Sequence, residues 1–138
     1  MECNVRWAGG MTFIAETGSN HLAVMDGAPE GGGRNLAPRP RELVLVGTGG
    51  GTAYDVDVIL KKSGQDVTGC EVRLTSERAE TDPKVFTRIH MRFIVSGRSL
   101  KRNLVEQAIR LSHEKYCSAS IMLGKTAEIT RDIEIVDA

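Results

Sequence analysis

Apolar and polar residues alternate with a period of two at the start of the chain. Over residues 2–8, Cys3, Val5 and Trp7 stand against Glu2, Asn4 and Arg6, the pattern of a half-buried strand. Gly9-Gly10 is a hairpin signal, and Met11 to Glu16 answers as a second strand. After a turn at Thr17 to Asn20, a third strand runs from His21 to Asp26. Residues 2–26 therefore predict an antiparallel meander. Residues 27–41, with Gly31-Gly32-Gly33, Pro38 and Pro40, predict a loop. Pro40 sits where the first turn of a helix tolerates proline.

Beyond residue 62 the same reading gives two strands, two helices and a last strand. Strand 67–77 puts Cys70, Val72 and Leu74 on one face, and strand 85–95 follows a short polar turn, with Gly97 and Ser99 marking its exit. The period changes to 3.6 over Leu100 to Lys115, where Leu104, Val105, Ala108, Ile109 and Leu111 form one stripe. A short helix from Tyr116 to Gly124 completes the helical stretch 100–124, and Gly124 is its stop. Strand 127–136 alternates Ile129, Ile133 and Ile135 with charged residues. The order βββ-α-ββ-αα-β defines an α+β class, in one domain spanning residues 1–138.

The stretch 42–62 has two readings. It holds the aliphatic run Leu43 to Val46, followed by Gly47, Gly49, Gly50 and Gly51. Read as strand, glycine loop and helix, it resembles a phosphate-binding turn, with Glu71 near the distance of a ribose contact. Against this, Thr52 is a poor fit at its position, and no βαβ unit follows. The strands at 67–77 and 85–95 are joined by a turn that parallel strands cannot use. Read as one central helix, the stretch must absorb four interior glycines, at about 1 kcal/mol each relative to Ala. That is tolerable where another element packs too close for a side chain.

Composition narrows the field of functions. Lys plus Arg and Asp plus Glu are both 18, so no global basic field points to nucleic acid or an anionic membrane. With four residues as the longest purely apolar run, no membrane span is expected, and the N-terminus carries no signal-like pattern. Cys3, Cys70 and Cys117 are scattered without CxxC spacing, which fits reduced thiols in a soluble cytoplasmic protein. The three histidines have no metal-ligand spacing, and neither metal nor other cofactor is expected. His90 and His113 read as solvated or structurally bonded, and Arg98, Lys101 and Arg102 as a solvated helix start.

Leu74-Thr-Ser-Glu-Arg78, Phe93-Ile-Val-Ser-Gly-Arg98 and Glu114-Lys-Tyr-Cys-Ser118, with Pro40 to Gly51 before them, resemble landmarks of the OsmC/Ohr family of thiol peroxidases. The likeness is greatest to its OsmC-like, YhfA-type branch, and it covers essentially the whole chain. The resemblance implies an intertwined homodimer in which antiparallel sheets wrap around two central helices. That arrangement would supply the close packing the glycines need, and it selects the single-helix reading of 42–62.

The resemblance also implies a chemistry. Family peroxidases use one cysteine early in the central helix to attack the hydroperoxide, and a second, in a Tyr-Cys-Ser-like segment, to close a disulfide. Cys117 matches the second position, and Gly51 stands at the first. The family's glutamate, ten residues before the first cysteine, falls on Arg41 here, with Glu42 beside it. The family's arginine near the first hairpin turn has no direct match, and Arg6 and Arg34 are the nearest candidates. The expectation is therefore a relative of the hydroperoxide reductases with weak or lost activity. Cys117 remains either a reactive thiol near a helix N-terminus, with Tyr116 and His113 in reach, or a small buried apolar group; Cys3 and Cys70 read as the latter. The alternative function is a homodimeric binding protein, with Gly51 widening an apolar pocket for a hydroperoxide or acyl ligand at the dimer interface.

Overall fold

The structure, a computed structural model, describes all residues from Met1 to Ala138. It divides into two compact units, residues 1–45 and 46–138. In the first unit, β1 (Cys3–Trp7), β2 (Phe13–Thr17) and β3 (Leu22–Met25) form the expected antiparallel meander. The β1–β2 turn is closed by Thr12 N–H donating to the Gly9 carbonyl, and the Trp7 indole N–H donates to the Gly10 carbonyl at 2.8 Å. Cross-strand register puts Val5, Ala15 and Ala23 on one face with Trp7, Phe13 and Met25. That face is apolar, as the alternation predicts. Yet β1 is not half-buried: every residue of it is exposed, Trp7 at 67%. No element of this unit covers the edge strand, so the periodicity gave the right face without its burial.

The expected loop at 27–41 includes a single 3₁₀ turn, Pro29–Gly31. It is anchored by buried Asp26, whose two carboxylate oxygens accept the Gly27 and Leu36 N–H groups. The Gly27 N–H above all holds that carboxyl below the usual range, against the opposing effect of burial.

The long helix α1 (Pro40–Lys62) is continuous, so Leu43–Val46 is no strand and Gly47–Gly51 no phosphate loop. It starts two residues before the predicted residue 42, and the start is chemically clear. Pro40 occupies the first helical position, and the Glu42 carboxylate accepts the Arg39 N–H at 2.8 Å. This is one half of a capping box. By length and composition α1 could cross a membrane: it has 23 residues, and an 18-residue window within it has mean hydropathy 1.3. The short apolar run had hidden this, because threonine and glycine separate it from the aliphatic second half. Thr48, Thr52, Val56 and Leu60 are buried, which makes α1 the core helix of the second unit.

In that unit, β4 (Asp66–Arg78) and β5 (Phe86–Arg98) form a long antiparallel hairpin, and β6 (Glu128–Asp137) adds to β5. The expectation of antiparallel sheets fails here, since β6 runs parallel to β5. The physical reason is the connection: α2 (Arg102–Leu111), a π-helical turn (Ser112–Tyr116) and α3 (Ser118–Leu123) carry the chain back before β6 begins. Ile89, Met91, Phe93 and Val95 of β5 form the floor of the core, and Val56 and Leu60 of α1 lie buried with Val105, Ala108 and Ile109 of α2. The α2 stripe is the one its period predicts. β5 ends at Arg98, between Gly97 and Ser99 as expected, and Gly97 is its buried penultimate residue, where a Cβ would stand 2.3 Å from the Asp66 carbonyl oxygen and 2.7 Å from a Leu100 methyl.

One glycine of α1 has a close neighbour that explains it, and two do not. A Cβ on Gly49 would meet a Leu74 methyl at 2.6 Å, so β4 takes the room. Gly47 and Gly50 have nothing within 4 Å, and they share an exposed stripe with Val46 and Tyr54.

Candidate functional site

Cys117 is built into the junction between the π turn and α3. Its N–H donates to the Ser112 carbonyl at 2.8 Å, the five-residue closure of the π turn. Its backbone then turns extended, at φ −80° and ψ 93°, and it caps α3. In that role the sulfur accepts the Ser120 N–H at 3.5 Å, as a serine or aspartate oxygen would at an N-cap. A long contact of 4.0 Å joins the thiol to the Thr48 carbonyl of α1. Only 3% of Cys117 is exposed.

Gly51 faces this thiol. A Cβ built on Gly51 would lie 3.5 Å from Cys117 Sγ, in ordinary van der Waals contact, with no other atom close. The structure therefore brings together the two positions that the sequence paired by resemblance. Glu42 has another occupation, in the capping box with Arg39. Arg6 is paired with Glu16 at 2.9 Å, whereas the Arg34 guanidinium stands over the first hairpin turn, where a Cβ on Gly10 would be 3.4 Å from it. Tyr116 is exposed beneath the Lys115 ammonium, 5.3 Å from its ring centre, and is not bonded to the thiol.

The remaining singled-out residues have local roles. Cys3 is exposed on β1, against the expectation of a buried thiol. Cys70 is half-buried, and burial first, then the Asp57 charge, push its thiol up to about 11. It stays protonated and unreactive at neutral pH. His90 bonds Thr130 at 2.7 Å and Asp132 at 3.3 Å on the polar face of the second sheet. Arg102 pairs with Glu106 at the solvated start of α2, where Lys101 is the N-cap residue, but Arg98 is not part of that helix start: it ends β5 and pairs with Asp66 of β4.

His113 is half-buried, and burial, aided by the Arg131 charge, holds its pKa below 6.5. Between that lowered value and 6.5 the unfolded chain binds a proton that the folded chain refuses, so stability is full above this window and falls on acidification through it. His113→Asn should remove this component. Thermal unfolding from pH 7 to pH 5 should show a shallower loss of Tm in the variant than in the wild type; parallel curves would contradict the assignment.

Sequence reasoning missed a buried hydroxyl chain beside Cys117. Ser112 Oγ donates to Asp55 Oδ2 at 3.3 Å and lies 2.8 Å from Thr52 Oγ1. Since the single Ser112 proton is committed to the carboxylate, Thr52 is the donor to Ser112. Thr52 and Asp55 are three residues apart on one helix face, and Ser112 continues the α2 stripe. That spacing was the available signal, though serine and threonine on a helix seldom announce burial.

This fold is that of an OsmC-type domain. The sequence profile of the family described as OsmC-like protein matches residues 31–132. The chain is 48% identical to Protein YhfA of Escherichia coli K12 over 138 residues, all of both chains. Among solved structures, a hypothetical protein from Aquifex aeolicus VF5 superposes with TM-score 0.87 at 27% identity, over 99% of this chain and 96% of that one. A Legionella pneumophila structure described as an organic hydroperoxide resistance protein OsmC shares the fold, with TM-score 0.71 at 16% identity, over 96% and 95% of the two chains. The chain belongs to the OsmC family.

Proposed function

We propose that this chain is a relative of the organic hydroperoxide resistance proteins whose two-cysteine centre is half present, so that peroxide reduction is weak or absent. The observation that carries this reading is the 3.5 Å separation between Cys117 Sγ and the Cβ position of Gly51. A resolving thiol is held against a residue that has no side chain to act as nucleophile. Glu42, engaged at the helix start, does not replace the missing group, while Arg34 is the better candidate for the family's hairpin arginine. With tert-butyl hydroperoxide and a dithiol reductant, the wild type should consume peroxide at the rate of the Cys117→Ser variant, both close to a protein-free blank. Wild-type turnover well above that of Cys117→Ser would sink the reading and make Cys117 a working one-cysteine centre.

The same proposal includes a cytoplasmic homodimer packed on α1. Its support is the stripe of Val46, Gly47, Gly50 and Tyr54, apolar or small yet exposed in the single chain. In a monomer, Gly47→Ala and Gly50→Ala would each stabilise α1 by about 1 kcal/mol. Packed against a second copy, the added methyls should instead weaken association. Sedimentation of the double variant should show a shift towards monomer; a dimer unchanged in affinity, or a wild-type monomer, would refute packing at this stripe.

A second reading, a binding module without chemistry, is favoured by a groove of about 390 Å³ one turn beyond Gly51. Its walls include Tyr54, Val58, Ile59, Leu111 and Tyr116, with Asp55, Lys62 and Ser63 as the polar part of the lining. These suit a small apolar or acyl ligand. Native mass spectrometry of the purified protein separates the readings, because a retained ligand has no place in the first.

A further inference from the structure

The buried serine of the π turn links α1 to Cys117 from two sides. Ser112 is wholly buried, Thr52 is 2% exposed, and both sit where unpaired hydroxyls would be costly. The Ser112 side chain ties the turn to α1 through Thr52 and Asp55. Its carbonyl takes the Cys117 N–H, and Cys117 in turn places its sulfur opposite residue 51 of that same helix. The loop of contacts thus runs from α1 through the turn to the thiol and back to α1. A π turn has one residue more per hydrogen-bonded ring than the α-helix before it, so its register depends on such a side-chain anchor.

We infer that Ser112 is the positioning residue of the centre: its hydroxyl, held by Thr52 and Asp55, fixes the Cys117 thiol in its buried place facing residue 51. The inference rests on reading Cys117 and position 51 as the family's two cysteine positions. Without the Ser112 hydroxyl, Thr52 loses the acceptor for its proton and Asp55 a donor. The turn is then released, and the thiol opens to solvent while the rest of the core stays packed.

The test uses full-length protein carrying Cys3→Ser and Cys70→Ser, so that Cys117 is the lone thiol. Adding Ser112→Ala should speed alkylation of Cys117 by iodoacetamide about tenfold, the scale set by one lost buried hydrogen bond. Ser112→Thr, which keeps the hydroxyl, should return the rate to near that of the parent. Val105→Ala, which opens the buried face of α2 elsewhere, serves as the control for plain destabilisation. An unchanged rate in Ser112→Ala, or an equal acceleration in Val105→Ala at matched Tm, overturns the inference. Should Ser112→Ala not fold, Thr52→Val carries the same prediction and the same refutation. Failure of a thiol introduced at residue 51 to bond Cys117 in otherwise intact protein would instead strike at the pairing of the two positions. The alkylation rates do not depend on that pairing, so the two failures are distinguishable.

Discussion

Gly51→Cys is expected to reduce hydroperoxides faster than the wild type. The new Cβ would begin 3.5 Å from Cys117 Sγ with no other atom within 4 Å, so the side chain enters without displacing backbone. Replacing glycine within α1 also improves helix propensity, by several tenths of a kcal/mol. In the chemistry the family implies, the new thiolate attacks one oxygen of the hydroperoxide and the O–O bond breaks. The alkoxide leaves as the alcohol after taking a proton, and residue 51 becomes a sulfenic acid. The Cys117 thiol then displaces water from that sulfur, closing a disulfide whose S–S length of about 2.05 Å needs only a modest side-chain rotation from this geometry. An external dithiol returns both sulfurs to thiols. Peroxide consumption should rise at least about tenfold over the wild type, equivalent to about 1.4 kcal/mol of barrier. After one equivalent of peroxide without reductant, a loss of two mass units should map to peptides containing residues 51 and 117. A disulfide without turnover would mean that the pairing is right but that the thiol lacks activation, the work of the family's glutamate and arginine. Neither disulfide nor turnover would remove position 51 from the site altogether.

The second large effect falls on Gly97. It lies inside β5, bonded through its carbonyl to the Ala138 N–H, in a slot bounded by the Asp66 carbonyl and the Leu100 side chain. The added methyl of Gly97→Ala would stand 2.3 Å from that carbonyl oxygen. Backbone on both strands must yield, unlike at Gly49, where the obstruction is the far end of a leucine. Gly97→Ala should destabilise the protein by roughly 2–3 kcal/mol and lower Tm by roughly 6–12 °C. Gly49→Ala should be far milder, because relief by a Leu74 rotation is offset against better helix propensity. Equal melting curves for the two variants would contradict this account.

The α+β fold was legible because each long element carries its period: alternation in the strands, the 3.6 stripe from Leu104 to Leu111. What period cannot encode is direction and coverage. Alternation of Ile129, Ile133 and Ile135 is the same whether β6 runs parallel or antiparallel to β5, and only the helical connection decides it. Val5 and Trp7 advertise a face without saying whether anything lies on it. At the candidate site, Cys117 and Gly51 met on paper only through the family resemblance, as no local pattern joins residues so far apart. Glu42 reads as a site carboxylate from residue type alone, and what residue type does not show is its capping bond to the Arg39 N–H. The Thr52–Ser112–Asp55 chain stayed hidden because hydroxyls compatible with solvent are equally compatible with a satisfied interior.

The parallel pairing of β6 bears on the order in which the second unit forms. The β4–β5 hairpin closes across a short turn, so its ladder can zip from adjacent residues. Docking of β6 instead joins partners such as His90 and Thr130, 40 positions apart, and requires the intervening helices to be in place. Loop-closure entropy then favours the hairpin first and the outer strand last. In pulse-labelled hydrogen exchange during refolding, amides of β5 that bond to β4 should be protected before those of β6. The hairpin is the seed of the sheet, and β6 is the latch that closes it.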